Sequence, residues 1–194
     1  MFDRFAGACA ILAGLSGLAY SVSFLVLSGA VPAGNVLTAL FLLVGALLTT
    51  AVFVALYGRL REIDRGFAVW ALLLGMLGAG GAAVHGGWDL NIAIRPPDAP
   101  LAIPANPADP RGLLTFGVTG IATGVFALLM RRGAGFPRRL ADLGALSGVL
   151  LVLIYLARLL VFDPNNPLVA GPAALEGLVV NPAFYVWLGL HLRR

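Results

Sequence analysis

Residues Leu37–Leu56 read LTALFLLVGALLTTAVFVAL and run without interruption into YGRLREIDR, Tyr57–Arg65. A charge-free run of 20 residues rises ~30 Å as a helix, the thickness of a bilayer's hydrocarbon core. In lipid no water is present to satisfy backbone amides, and a helix satisfies them within its own segment. The run is therefore expected to cross a membrane as a helix. Arg59, Arg61 and Arg65 directly after it set a direction, because loops rich in arginine stay on the cytoplasmic side.

The same pattern recurs along the chain. Apolar stretches at about Phe5–Leu27, Phe67–Trp88, Leu113–Met130, Leu140–Phe162 and Ala173–Leu192 join Leu37–Leu56 to make six spans. The first is too long for a signal-peptide core of ~7–15 residues, and Asp3 dilutes its basic start, so it reads as a retained span. Composition agrees: 60% of the 194 residues are hydrophobic and 11% charged, with a mean hydropathy of +0.95. Soluble domains carry roughly 25% charged residues, so this chain lacks the charge to cover a water-soluble globule. The expected fold class is an all-α integral membrane protein, one six-helix domain over residues 1–194.

With the N-terminus inside, Arg4, Arg59, Arg61, Arg65, Arg131, Arg132, Arg138, Arg139, Arg193 and Arg194 are cytoplasmic, and only Arg95, Arg111 and Arg158 lie on the outer half. The acids lean the other way, with Asp89, Asp98, Asp109, Asp163 and Glu176 outside against Asp3, Glu62, Asp64 and Asp142 inside. Both termini are thus expected in the cytoplasm. All 13 basic residues are arginine, which points to a GC-rich bacterial genome and a bacterial cytoplasmic membrane. A nucleic-acid partner is excluded despite the net charge of +4, because the arginines mark helix ends and form no solvent-facing basic stripe. The lone Cys9 can form no internal disulfide, and no Cys/His cluster has metal-ligand spacing.

Prolines punctuate the outer side. Pro96, Pro97, Pro100, Pro104, Pro107 and Pro110 crowd a long loop, 91–112, between the third and fourth spans. Pro164, Pro167 and Pro172 mark the next outer loop. Such spacing removes amide donors and holds a chain extended.

Within the spans, small residues fall at helical spacing: Gly75, Gly78, Ala82 and Gly86 in the third, Gly120 and Gly124 in the fourth, Gly144 and Gly148 in the fifth. Lipid offers no hydrophobic force between helices, so close backbone approach drives packing. These faces are expected to make helix contacts, within the chain or to a membrane-protein partner or second copy.

Polar residues near the outer end form the candidate site. His85, Trp88 and Asp89 share one helix face at i, i+3 and i+4. A carboxylate beside an imidazole fixes its tautomer, as a proton relay or ligand site requires, while Trp88 also suits an interfacial aromatic belt. The glycines at 86 and 87 suggest that the helix ends before Asp89. Arg158 lies inside the fifth span, about 6 Å from its outer end, where Asp89 or Glu176 is the expected partner. In the sixth span, Asn181 precedes Pro182; the proline frees a carbonyl and kinks the helix, and the asparagine can satisfy a freed group. His85 and His191 fall at opposite ends of the core, ~30 Å apart, and cannot share a haem iron. No nucleophile–base pair, phosphate loop or dinucleotide fingerprint appears, so no catalytic residue, metal or cofactor is assigned.

Several segments resemble a bacterial family of multi-span membrane proteins, domain of unknown function 4386. They are Arg4-Phe-Ala-Gly, Gly45-Ala-Leu-Leu with Val54-Ala-Leu-Tyr-Gly-Arg-Leu-Arg61, Pro137-Arg-Arg-Leu, and Val186-Trp-Leu-Gly-Leu. The resemblance implies a six-helix fold and supplies no activity, substrate or functional residue. Two roles follow from the residues themselves: a non-catalytic packing or accessory membrane subunit, or a small-molecule, ion or lipid binding or transport protein with a polar site in the outer leaflet.

Overall fold

The structure is a computed structural model that describes residues 1–28, 30–31, 33–96, 110–161 and 166–194. Residues 97–109 of the expected proline-rich loop lie outside the described residues, as do 162–165 with Pro164. The described residues are helical and contain no strand. Six helices are long and apolar enough to cross a membrane, which makes the chain a multi-pass membrane protein: α1, Phe2–Leu27; α2, Ala33–Leu60; α3, Arg65–Ile94; α4, Pro110–Arg132; α5, Arg138–Leu160; α6, Pro167–Leu192.

The helices outrun the apolar stretches at several ends. Gly86 and Gly87 do not end α3, which continues to Ile94. A Cβ on Gly86 would come within 2.8 Å of the Leu43 backbone nitrogen and 2.9 Å of the Ala39 carbonyl, so this glycine permits contact with α2. Pro167 and Pro172 do not lie in a loop. Pro167 occupies the first position of α6, where a helix needs no amide donor, and Asn166 caps that end by accepting from Leu168 N at 3.0 Å. Pro172 sits inside the same helix. Asp64 caps α3 in the same way, accepting from Phe67 N at 3.1 Å.

Each helix packs against its sequence neighbours, and α6 returns to pack along α1, closing a ring. The closure rests on small residues: a Cβ on Gly7 would overlap the Gly189 carbonyl and the Arg193 side chain. The two GxxxG pairs meet each other, since a Cβ on Gly148 would lie 2.7 Å from the Gly120 carbonyl and 2.8 Å from Gly124 N. Gly75 and Gly144 receive the rings of Phe53 and Phe184. These glycine faces are taken up inside the bundle.

Both termini and the arginine-bearing turns share one end. There Arg59 pairs with Asp3 at 2.8 Å, Arg131 pairs with Asp142 at 3.2 Å, and His191 Nε2 donates to the Gly135 carbonyl at 2.8 Å. The half of the ring nearest the termini is filled by Phe53, Leu56, Phe126, Met130, Phe184 and Leu188, all fully buried. The far half mixes aromatic and aliphatic side chains with small or hydroxyl residues facing inward, among them Gly17, Thr38, Gly45, Ala82, Thr115 and Ala173. The small residues leave room there that large side chains fill at the other end.

Candidate functional site

The hollow is a cavity of about 480 Å³ bounded by residues from all six helices. The cavity is partly open to its surroundings, so it is a pocket that water, lipid or a ligand can enter and not a sealed void in the packing.

Three spans wind as π-helices at this level: Ser23–Leu27 in α1, Leu113–Val118 in α4 and Glu176–Val180 in α6. Each contributes to the wall, through Phe24 and Leu25, Thr115 and Phe116, and Glu176 and Gly177. An extra residue per turn widens a helix and re-aims its side chains, and such turns recur at functional sites. In α6 the π turn stands between Pro172 and Pro182, with the Asn181 amide donating to the Glu176 carbonyl. The π turn ends directly before Asn181 and Pro182 and presents Glu176 to the cavity.

His85, Asp89, Arg158, Glu176 and Asn181 all line this one cavity. Trp88 does not; its ring lies under the Arg111 guanidinium, whose central carbon is 4.9 Å from the ring centroid. Pro182 also lies outside the wall, behind Asn181.

The polar residues fall into two groups. In the first, His85 Nε2 is 3.4 Å from Asp89 Oδ2, and Arg111 Nη1 is 3.8 Å from Asp89 Oδ1. An ionised carboxylate only accepts, so Nε2 carries the hydrogen toward Asp89, and Nδ1 shares a hydrogen bond with the Thr115 hydroxyl at 3.1 Å. Phe116 meets the imidazole edge-on, with centroids 6.5 Å apart. This cluster ties α3 to the π turn of α4.

The second group is deeper. Glu176 is 3% exposed, and its Oε1 accepts from the Ser147 hydroxyl at 2.6 Å. Its Oε2 is buried and has no hydrogen-bond partner among the described residues, with the Asn181 side chain close to the carboxyl group. Gly177 lies so close to Ser21 that a Cβ would overlap the Ser21 hydroxyl, which brings α1 against the turn carrying Glu176.

Arg158 is not paired as expected. No ion pair joins it to Asp89 or Glu176, and its Nη1 is buried without a hydrogen-bond partner among the described residues. Asp89 is already engaged by His85 and Arg111, and Glu176 is held by Ser147 on α5 itself. From Ser147 to Arg158 the helix rises ~16 Å, too far for a guanidinium to reach the carboxylate directly.

Arg111, Thr115 and Ser147 were not singled out by the sequence. Arg111 stands in a segment that reads as loop, and the two hydroxyl residues each sit within an apolar run. Among the described residues no group of three His, Cys, Asp or Glu side chains could hold a metal ion. No family model, no curated protein and no solved structure matches the chain.

Proposed function

We propose that the protein binds a small amphiphilic molecule within the ring of helices and carries it between the membrane and the aqueous side away from the termini, without chemical conversion. In this reading it is a multi-pass protein of a bacterial cytoplasmic membrane with both termini and the arginine-rich turns in the cytoplasm, so the cavity opens in the outer leaflet. The carrying observation is the cavity of about 480 Å³, a volume within the range of small-molecule sites. Its wall is mainly apolar and also holds His85, Asp89, Arg158 and Glu176. The arginine asymmetry between the two ends supports the orientation.

The test is purification from native membranes without crosslinker, followed by native mass spectrometry of the wild type and of Ala82→Phe, which places a ring where Ala82 lines the cavity. A stoichiometric small molecule on the wild type, lost from the filled variant, supports binding. A wild-type chain without any bound small molecule overturns it.

A second reading, an accessory membrane subunit, has one observation in its favour. On the outer face of α3, Gly80 and Gly87 have open space where a Cβ would stand, and Leu77 and Val84 beside them are exposed. That face gives a neighbouring helix a place to approach closely. A stoichiometric protein partner in the same purification, with an empty cavity, supports this role.

A further inference from the structure

We infer that the ligand of this cavity is a zwitterion, with an ammonium group bound at Glu176, an anionic group bound at Arg158 and an apolar body between them. The inference rests on the binding role proposed above and adds the chemical class of what is bound.

Two charged side chains of opposite sign line one cavity, and each keeps a buried polar atom without a partner among the described residues: Glu176 Oε2 and Arg158 Nη1. In a low-dielectric interior such groups attract strongly and should close into an ion pair if the fold allowed it. It does not. Glu176 is tethered to Ser147 at 2.6 Å, and Arg158 stands eleven residues further along the same helix as Ser147. Helical side chains lean toward the N-terminus, so Arg158 leans back toward Ser147, which leaves the two charges on the order of 10 Å apart.

The other charged group on the wall is already compensated, since Asp89 faces both His85 and Arg111. What remains is one negative and one positive pole with an apolar wall that includes Phe41, Leu42 and Ile154. A purely cationic ligand would leave Arg158 buried and uncompensated, and a purely anionic one would leave Glu176 so. A zwitterion answers both and enters with no net charge, which lowers the cost of leaving water.

The experiment is calorimetric titration of the full chain in an uncharged maltoside detergent with matched eight-carbon probes: 8-aminooctanoate, octylamine, octanoate and octanol. The expected result is that 8-aminooctanoate binds at least tenfold more tightly than any of the other three. Glu176→Gln, which keeps an acceptor for Ser147, and Arg158→Gln should each weaken it at least tenfold. Glu176→Gln should not weaken octanoate, and Arg158→Gln should not weaken octylamine, because each change removes the charge that repels that probe. Lysophosphatidylethanolamine, whose ammonium and phosphate stand two carbons apart with the apolar chain outside them, should bind more weakly than 8-aminooctanoate; tighter binding of this lipid overturns the inference. Equal affinity for octylamine or octanoate and the zwitterion overturns the inference while leaving a binding cavity intact. If no probe binds and none displaces a co-purified molecule, both the inference and the binding role fail. The comparison among probes on the wild type stands even if a variant does not fold.

Discussion

Ser147 on α5 donates its hydroxyl hydrogen to Glu176 on α6 across 2.6 Å, and this contact holds a carboxylate that is 3% exposed at the wall of the cavity. The bond joins two helices whose packing against each other is sparse beside that of the other neighbours in the ring. It positions the acid and helps to close the α5–α6 seam.

Ser147→Ala should therefore destabilise the protein by about 1–3 kcal/mol, the range for a buried hydrogen bond lost to an ionisable group. Thermal unfolding in detergent measures this. Glu176→Gln should fall by less, because the amide oxygen still accepts from Ser147. A Ser147→Ala protein that melts like the wild type would show that the bond does not hold the seam.

The two glycine pairs make opposite predictions for one substitution. Gly148→Ala sets a methyl group 2.7 Å from the Gly120 carbonyl and 2.8 Å from Gly124 N. Both are backbone atoms, so the helices must part, at a cost of about 1–3 kcal/mol. Gly80→Ala meets nothing within 4 Å and should be neutral, or stabilising by up to about 1 kcal/mol through helix propensity. Equal melting temperatures for the two variants would contradict the packing of α4 on α5.

The six spans and the basic end could be read from the sequence because both are properties of single segments: a long uncharged run, or arginines at its edge. Helix ends were harder. Gly86-Gly87 has the composition of a break, and only the approach of α2 to Gly86 explains why α3 continues. At the site, His85 and Asp89 were legible because their partnership is local, at i and i+4. Arg111 and Ser147 were not, since their partners arrive from other helices through the order of the ring. The π turns that aim Thr115 and Glu176 inward have no local signature except Pro172 and Pro182 flanking the third. Arg158 was legible as an unusual charge, but its expected partners were claimed by residues the sequence could not place.

The orientation can be checked on a Cys9→Ser background, which removes the one native thiol. A cysteine at Ala102, between α3 and α4, should react with an impermeant maleimide in intact cells. A cysteine at Gly135, in the exposed turn between α4 and α5, should react only after the membrane is opened. The reverse pattern would invert the topology and move the cavity to the cytoplasmic leaflet.

Arg158 separates a structural charge from a functional one. A cation paired with a buried acid holds its helix in place, and its removal would leave that acid uncompensated, typically at a cost of 3–5 kcal/mol. Among the described residues Arg158 has no such partner: no ion pair reaches Asp89 or Glu176, and Nη1 is buried without a hydrogen bond. Arg158 stands in the last turn of α5, where a charge costs less than in the middle of a span, so in the ligand-free protein it adds little to stability. Arg158→Leu should leave the melting temperature in maltoside detergent unchanged or raise it. The same variant should lose the stabilisation that 8-aminooctanoate gives the wild type, because a ligand stabilises only the state that binds it. A drop of several degrees in the ligand-free melt, rescued by removing an acid as well, would show an ion pair instead. A stable variant that no longer responds to the zwitterion would identify Arg158 as a residue that serves binding and not the fold.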